Sequence, residues 1–191
     1  MMTHYVMVGE GVYPILTIEK HPRLPGGPWY HGHKLKITVP TPLEYVLEVE
    51  EEEPDSNIKI LYGNKAIPVM HNSLVETLQS AGVNNLELFP ARITNPNTGK
   101  VHEDYQAFNV VGLVSAADLD NSTLMNESDT PTLLDTDFDS LVIDESKTMG
   151  FRLFRLAENC SAIVVDEKVK AAIEKRGIPG IVFYGPGEWS G

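Results

Sequence analysis

Short runs of apolar residues, many alternating with polar ones, mark most of the predicted elements of this chain, and this period-two pattern is that of half-buried strands. Tyr5-Val6-Met7-Val8 predicts a strand, broken by Gly9 and Gly11, and Val12 to Ile18 predicts another. His21 to His33 holds three prolines and three glycines and predicts a loop anchored by Trp29 and Tyr30. Lys34 to Val39 alternates polar with apolar and predicts a further half-buried strand. Leu43 to Val49 does the same until Glu50-Glu51-Glu52-Glu53-Pro54-Asp55, where proline and like charges stop it.

From Ile67 the period changes. Ile67 to Met70 predicts a short strand, and Asn72 or Ser73 is placed to cap a helix reaching about Ala81, with Leu74 and Leu78 on one face. Gly82 closes it and Leu86 to Phe89 returns as a strand. Ala91 to Thr94 and His102 to Val111 flank the turn-rich Asn95 to Lys100 and predict a strand pair joined by an exposed loop. Ser115 to Asp139 is the least regular stretch, and Phe138 to Ile143 resumes as a strand. Phe151 to Leu156 reads as an alternating strand whose two arginines share one face.

The end of the chain echoes the middle at an offset of 95 residues. Leu74 matches Val169, Leu78 matches Ile173, Gly82 matches Gly177, and Leu86 and Leu88 match Ile181 and Phe183. Asp166 is a favourable N-cap, and Lys175 and Arg176 sit where the negative end of the helix dipole favours cations. The pattern predicts an α/β (α+β) fold with mixed sheets and two repeated strand–helix–strand modules packed together. The expected organisation is a β-rich region over 1–66, a first module over 67–112, and an acidic linker with a second module over 113–191.

Charge sharpens this picture. The chain has 191 residues and a formal net charge of -12, from 27 acidic and 15 basic side chains. Glu48 to Asp55 and Asp118 to Glu145 hold 15 of the acids. Such a field repels nucleic acid and anionic membranes and attracts a basic protein surface. No run of 18 apolar residues exists, the start does not read as a secretory signal, and the one cysteine, Cys160, excludes an intrachain disulfide. These features lean towards a cytoplasmic protein.

Candidate chemistry is sparse. His31 and His33 lie two apart beside Trp29 and Tyr30, a spacing that can begin a metal site, but no cysteine or ordered acidic motif completes it. Gly9-Glu10-Gly11 has Pro14 where a dinucleotide turn needs glycine. Asp135, Asp137 and Asp139 lack the glycine and distal glutamate of a calcium loop, which favours a solvated acidic loop. Cys160 has no histidine near it in sequence, so a buried structural thiol is the simpler reading. No catalytic residue, cofactor or metal is therefore expected.

Phe138 to Lys147, followed by Gly150, Leu153-Phe154-Arg155-Leu156, Ile163 to Val169 and Gly177 to Phe183, resembles the Imm11 family of immunity proteins. Asn109 to Gly112 with Asp118, and Ala81-Gly82-Val83 to Leu88-Phe89-Pro90, look like that family too, so the resemblance covers about Ile67 to Tyr184. It implies a non-enzymatic protein of a bacterial polymorphic toxin system, type VI secretion among the delivery routes, that binds a cognate toxin in the producer's cytoplasm. It implies no particular binding face.

Charge placement makes Glu50, Glu51, Glu52, Asp55, Asp118, Asp120, Asp135, Asp137 and Asp139 the expected contact residues, with Trp29, Tyr30 and Tyr105 as aromatic anchors. A basic target, such as a nuclease, suits that surface. Two other classes stay open: a small metal-dependent or thiol hydrolase with its site in the His21–His33 loop, and a protein that recognises a second copy of itself through the repeat.

Overall fold

The computed structural model describes residues 3–11, 15–18, 28–48, 58–63, 66–126 and 131–191. In chain order these form β1 (His4–Gly9), β2 (Ile15–Ile18), β3 (Leu43–Glu48), β4 (Leu61–Tyr62), β5 (Val69–His71), α1 (Asn72–Ser80), β6 (Leu86–Thr94) and β7 (Val101–Val110). There follow β8 (Leu113–Val114), β9 (Thr123–Leu124), β10 (Phe138–Ser140), β11 (Leu153–Leu156), β12 (Ile163–Asp166), α2 (Glu167–Arg176) and β13 (Ile181–Tyr184). One sheet has the order β2-β3-β6-β7-β5-β4, a second β13-β1-β12-β11-β8, and β9 pairs with β10 alone. Both large sheets mix parallel and antiparallel neighbours, which makes the fold α+β.

The helices form where the apolar residues recur at helical spacing. Leu74, Val75 and Leu78 of α1 and Val169 and Ile173 of α2 are buried. The Asp166 carboxylate accepts the Val169 N–H at 2.9 Å, and Gly177 closes α2 at φ 66, a left-handed conformation that glycine adopts without penalty. The cap of α1 differs from expectation. His71, not Asn72 or Ser73, occupies the N-cap, because its imidazole Nδ1 accepts the Ser73 N–H at 3.1 Å.

Each helix joins two strands that flank a third, antiparallel one. β5 and β6 lie on either side of β7, and β12 and β13 on either side of β1. Val69 and Phe89 both pair with Ala107 in one sheet, and Val164 and Tyr184 both pair with Val6 in the other.

Alternation along the strands then divides the interior. Met7, Met70, Phe108, Leu153 and Val165 turn towards both helices and form one core with Leu74, Leu78, Val169 and Ile173. Val69, Tyr105 and Ala107 turn the other way, into a second cluster with Trp29 and Tyr45. Val6, Phe154 and Val164 enter a third with Phe138 and Trp189. Burial of a large aliphatic side chain stabilises by about 1.5–3 kcal/mol. The central cluster is therefore what holds the sheets to the helices.

Three local expectations need correction. Lys34 to Val39 forms no strand. The Leu35 N–H is taken by the Glu87 carboxylate at 2.8 Å and Ile37 is exposed, so the backbone joins no sheet, although Val39 is buried and Leu35 packs against the cluster around Trp29. Leu86–Phe89 and Ala91–Thr94 are one strand, running through an exposed Pro90. Arg152 and Arg155 do not share a face: Arg152 bonds Asp166 at 2.9 Å, while Arg155 is fully buried with its guanidinium 4.2 Å from the Tyr30 ring centre. A spacing of three places side chains on opposite faces of a strand.

Leu78→Ala and Ile173→Ala are each expected to lower stability by about 2–5 kcal/mol, since each opens a cavity in the core shared by the two sheets. Urea unfolding followed by circular dichroism measures this. A loss under 1 kcal/mol for both would show that the helices do not hold the sheets.

Candidate partner-binding surface

The acidic stretch is held against the five-stranded sheet by a small set of bonds. Leu134 N–H donates to Ala157 O at 2.6 Å, Thr136 N–H to Glu158 O at 2.8 Å, and Asn159 Nδ2 to Thr136 O at 3.1 Å. Phe138 is fully buried and exchanges backbone bonds with Gly191 at 2.7 and 2.9 Å. Strand alternation around Phe138 leaves Asp137 and Asp139 exposed on either side of it. Asp135 is exposed and accepts the Thr132 hydroxyl at 2.5 Å. Asp118 is half-buried and receives the side-chain and backbone N–H groups of Asn121 at 2.8 and 3.3 Å, and Asp120 is exposed. Between Val101 and Ser146 there is no lysine or arginine.

Glu50, Glu51, Glu52 and Asp55 lie outside the described residues. The aromatic anchors divide. Trp29 and Tyr105 are each 1% exposed and belong to the core beyond the six-stranded sheet, with Trp29 edge-on to Phe89 at 5.4 Å. Neither reaches the surface, so both are corrected from contact residues to core residues. Tyr30 is half-buried beneath Arg155, and its hydroxyl donates to Gly63 O at 3.4 Å.

The residues considered for catalysis do not converge. His31 and His33 are exposed, and no group of three or more His, Cys, Asp or Glu side chains is arranged for a metal among the described residues. The Cys160 thiol is half-buried and lies 3.3 Å from Leu134 O; burial pushes its pKa up, against the opposing pull of Arg155. A raised pKa favours the less reactive thiol.

One constellation was not legible in the sequence. His71 Nδ1 lies 2.8 Å from Ser73 Oγ and Nε2 lies 2.9 Å from Asp104. The order of ring nitrogens is reversed from that of a hydrolytic triad, and the Nδ1 lone pair is already engaged by the Ser73 backbone N–H. The arrangement caps α1. Its members come from β5, α1 and β7, and only strand register brings Asp104 beside His71.

A smaller cavity of about 400 Å³ lies where β1 meets β4, lined by Gly9, Lys59, Tyr62, Gly63, Ile163 and Trp189 among others. Gly9 is required there, because a Cβ would collide with the Leu61 carbonyl oxygen. Burial pushes the Tyr62 hydroxyl up to about 12, although it accepts the Lys59 N–H.

The fold and this surface define a two-sheet α+β protein carrying a negatively charged face, with no helix long and apolar enough to cross a membrane among the described residues. The chain belongs to the Imm11 immunity protein family, whose model matches residues 17–187. That membership points to an immunity role and implies a toxin as partner. Comparison with curated proteins gives no match.

Two outcomes are expected. Trp29→Ala should cost about 3–5 kcal/mol of stability, as a core deletion does, measured by urea unfolding. Tyr62 should make the protein less stable in alkali. Below pH about 10 the hydroxyl is neutral in both states; above it only the unfolded chain releases the proton, so stability falls as pH rises towards about 12, by about 2 kcal/mol. Tyr62→Phe should flatten that part of the profile relative to wild type.

Proposed function

We propose that this protein neutralises a cognate toxin by direct, stoichiometric binding in the cytoplasm of the producing cell, and that its acidic side chains steer the encounter. Family membership supplies the partner class. The observation that carries the mechanism is the run from Val101 to Ser146, which contains no lysine or arginine and displays Asp120, Asp135, Asp137 and Asp139 to solvent. Charge concentrated in this way opposes folding by self-repulsion, and a basic partner relieves it. A nuclease fits best, because a surface built to hold nucleic acid is basic. Glu50, Glu51, Glu52 and Asp55 extend the same reading at the level of sequence. Charges at the rim of an interface act mainly on association rate and its salt dependence. The two strand–helix–strand units, alike in spacing and register, are read as copies of one module that serves as scaffold.

Co-expression of the neighbouring toxin gene with this protein tests the proposal. Wild type should protect cells and co-purify with the toxin in a fixed ratio. Neutralising Asp135, Asp137 and Asp139 to asparagine should slow association about tenfold at low salt and much less at high salt, read by stopped-flow or surface kinetics. Protection without any complex would refute direct binding. Alanine at His31, His33 or Cys160 should leave protection intact; loss of protection with His31→Ala in a folded protein would favour the hydrolase reading instead.

A further inference from the structure

Backbone pairing brings two distant parts of the acidic stretch together. Asp118 N–H donates to Val142 O at 2.9 Å, and Asp144 N–H donates to Ala116 O at 2.8 Å. Asp118, Asp144 and Glu145 thereby line one cleft of about 740 Å³, together with Gly150, Arg152 and Asp166 among others. Arg152 is already held by Asp166 at 2.9 Å. Lys147 is 3.0 Å from Asp144, and its ammonium is further stabilised by Asp118 and Glu158. One lysine therefore serves several carboxylates.

Two carboxylates nearby in the chain are incompletely matched, Glu145 in the cleft lining and Glu158 outside it. Glu145 Oε2 is shut off from water and meets no donor. Glu158 is only 6% exposed; its Oε1 accepts the Ser115 hydroxyl at 2.5 Å, and its Oε2 meets no donor. A carboxylate oxygen without a donor is costly, so Glu145 in the cleft wall gains from any N–H donor that a side-chain rearrangement lets it meet.

The stretch that carries the cleft's acids also exposes apolar side chains, though none of them is part of the cleft lining itself. Of the seven large hydrophobic side chains exposed among the described residues, Leu119, Met125, Leu133, Leu134 and Met149 all fall between 117 and 149. Met149, adjacent to Gly150 at the cleft, is 79% exposed and held at φ 55, a backbone conformation that non-glycine residues seldom adopt. Exposed apolar area combined with unbalanced negative charge matches a protein surface that offers a basic side chain among apolar contacts.

We propose that this cleft is the socket for an arginine side chain of the toxin, its guanidinium set among Asp118, Asp144 and Glu145 and its aliphatic stem against Met149 and Leu119. The planar five-donor fork of arginine suits several carboxylates at once, which a lysine ammonium does less well. The inference rests on the toxin-binding reading above for the source of the arginine, and on the cleft alone for its chemistry.

The test uses the full chain, labelled with ¹⁵N and titrated at low salt with an acetylated, amidated tetra-arginine peptide. The largest amide shifts should fall at Asp118 and from Asp144 to Gly150, and Asp118→Asn combined with Glu145→Gln should weaken binding at least tenfold while the spectrum stays dispersed. Shifts spread evenly over the acidic surface, or binding indifferent to the double substitution, would overturn the socket. The toxin separates this from the broader reading. If wild type captures no toxin, direct neutralisation fails while the peptide result still judges the cleft. If the double variant captures toxin with unchanged affinity, the cleft is not where the toxin binds.

Discussion

Two short helices close both sheets at once, and the rest of the molecule depends on that shared core. Helices of nine and ten residues have little stability alone. Leu74 and Leu78 of α1 and Val169 and Ile173 of α2 enter a single apolar cluster with residues of both sheets. The helices also touch at their surface, where Arg176 meets Glu76 at 2.6 Å, but an exposed pair of this kind contributes little. Apolar burial is what fixes the relative position of the sheets, and through it the position of everything mounted on their outer faces.

The acidic stretch is mounted in that way. Among the described residues it contributes only the two short strands β9 and β10 to the sheets, yet it is anchored by buried Phe138, by Asn159 and by backbone bonds to Ala157 and Glu158. The rigid sheet underneath lets a weakly regular segment display charge at defined places. Preorganisation of this sort reduces the ordering cost that a flexible acidic tail pays on binding. It also explains how side chains as far apart in sequence as Asp118 and Asp144 come to share a cleft.

What the sequence disclosed was local. Asp166 and Gly177 announced the ends of α2, the alternation of Leu43 to Glu48 announced β3, and the turn residues from Asn95 to Lys100 announced the β6–β7 hairpin. The helical spacing of Leu74 and Leu78, and of Val169 and Ile173, announced the two helices. Long-range pairing was not legible. Nothing near Tyr5 or Val6 indicates that β1 lies between β12 and β13, and nothing near Lys34 indicates that its alternating neighbours would find no sheet. The exposure of aromatic and aliphatic residues was equally hidden. Trp29 and Tyr105 fit a surface as well as a core until packing buried them, while Leu133 and Met149 look like core residues until the loop geometry exposes them.

The central place of β1 has a consequence for synthesis. Its neighbours β12 and β13 begin more than 150 residues later, so a ribosome must add more than 150 further residues before this strand can pair with them. At ordinary translation rates the wait is on the order of ten to thirty seconds. During that time the apolar Val6 and Met7 have no sheet to enter, and the core around α1 and α2 cannot close. If the protein neutralises a toxin as proposed, that activity belongs to completed molecules, not to nascent ones. On that proposal, a producer that makes both proteins is safest when translation of this chain runs ahead of the toxin's.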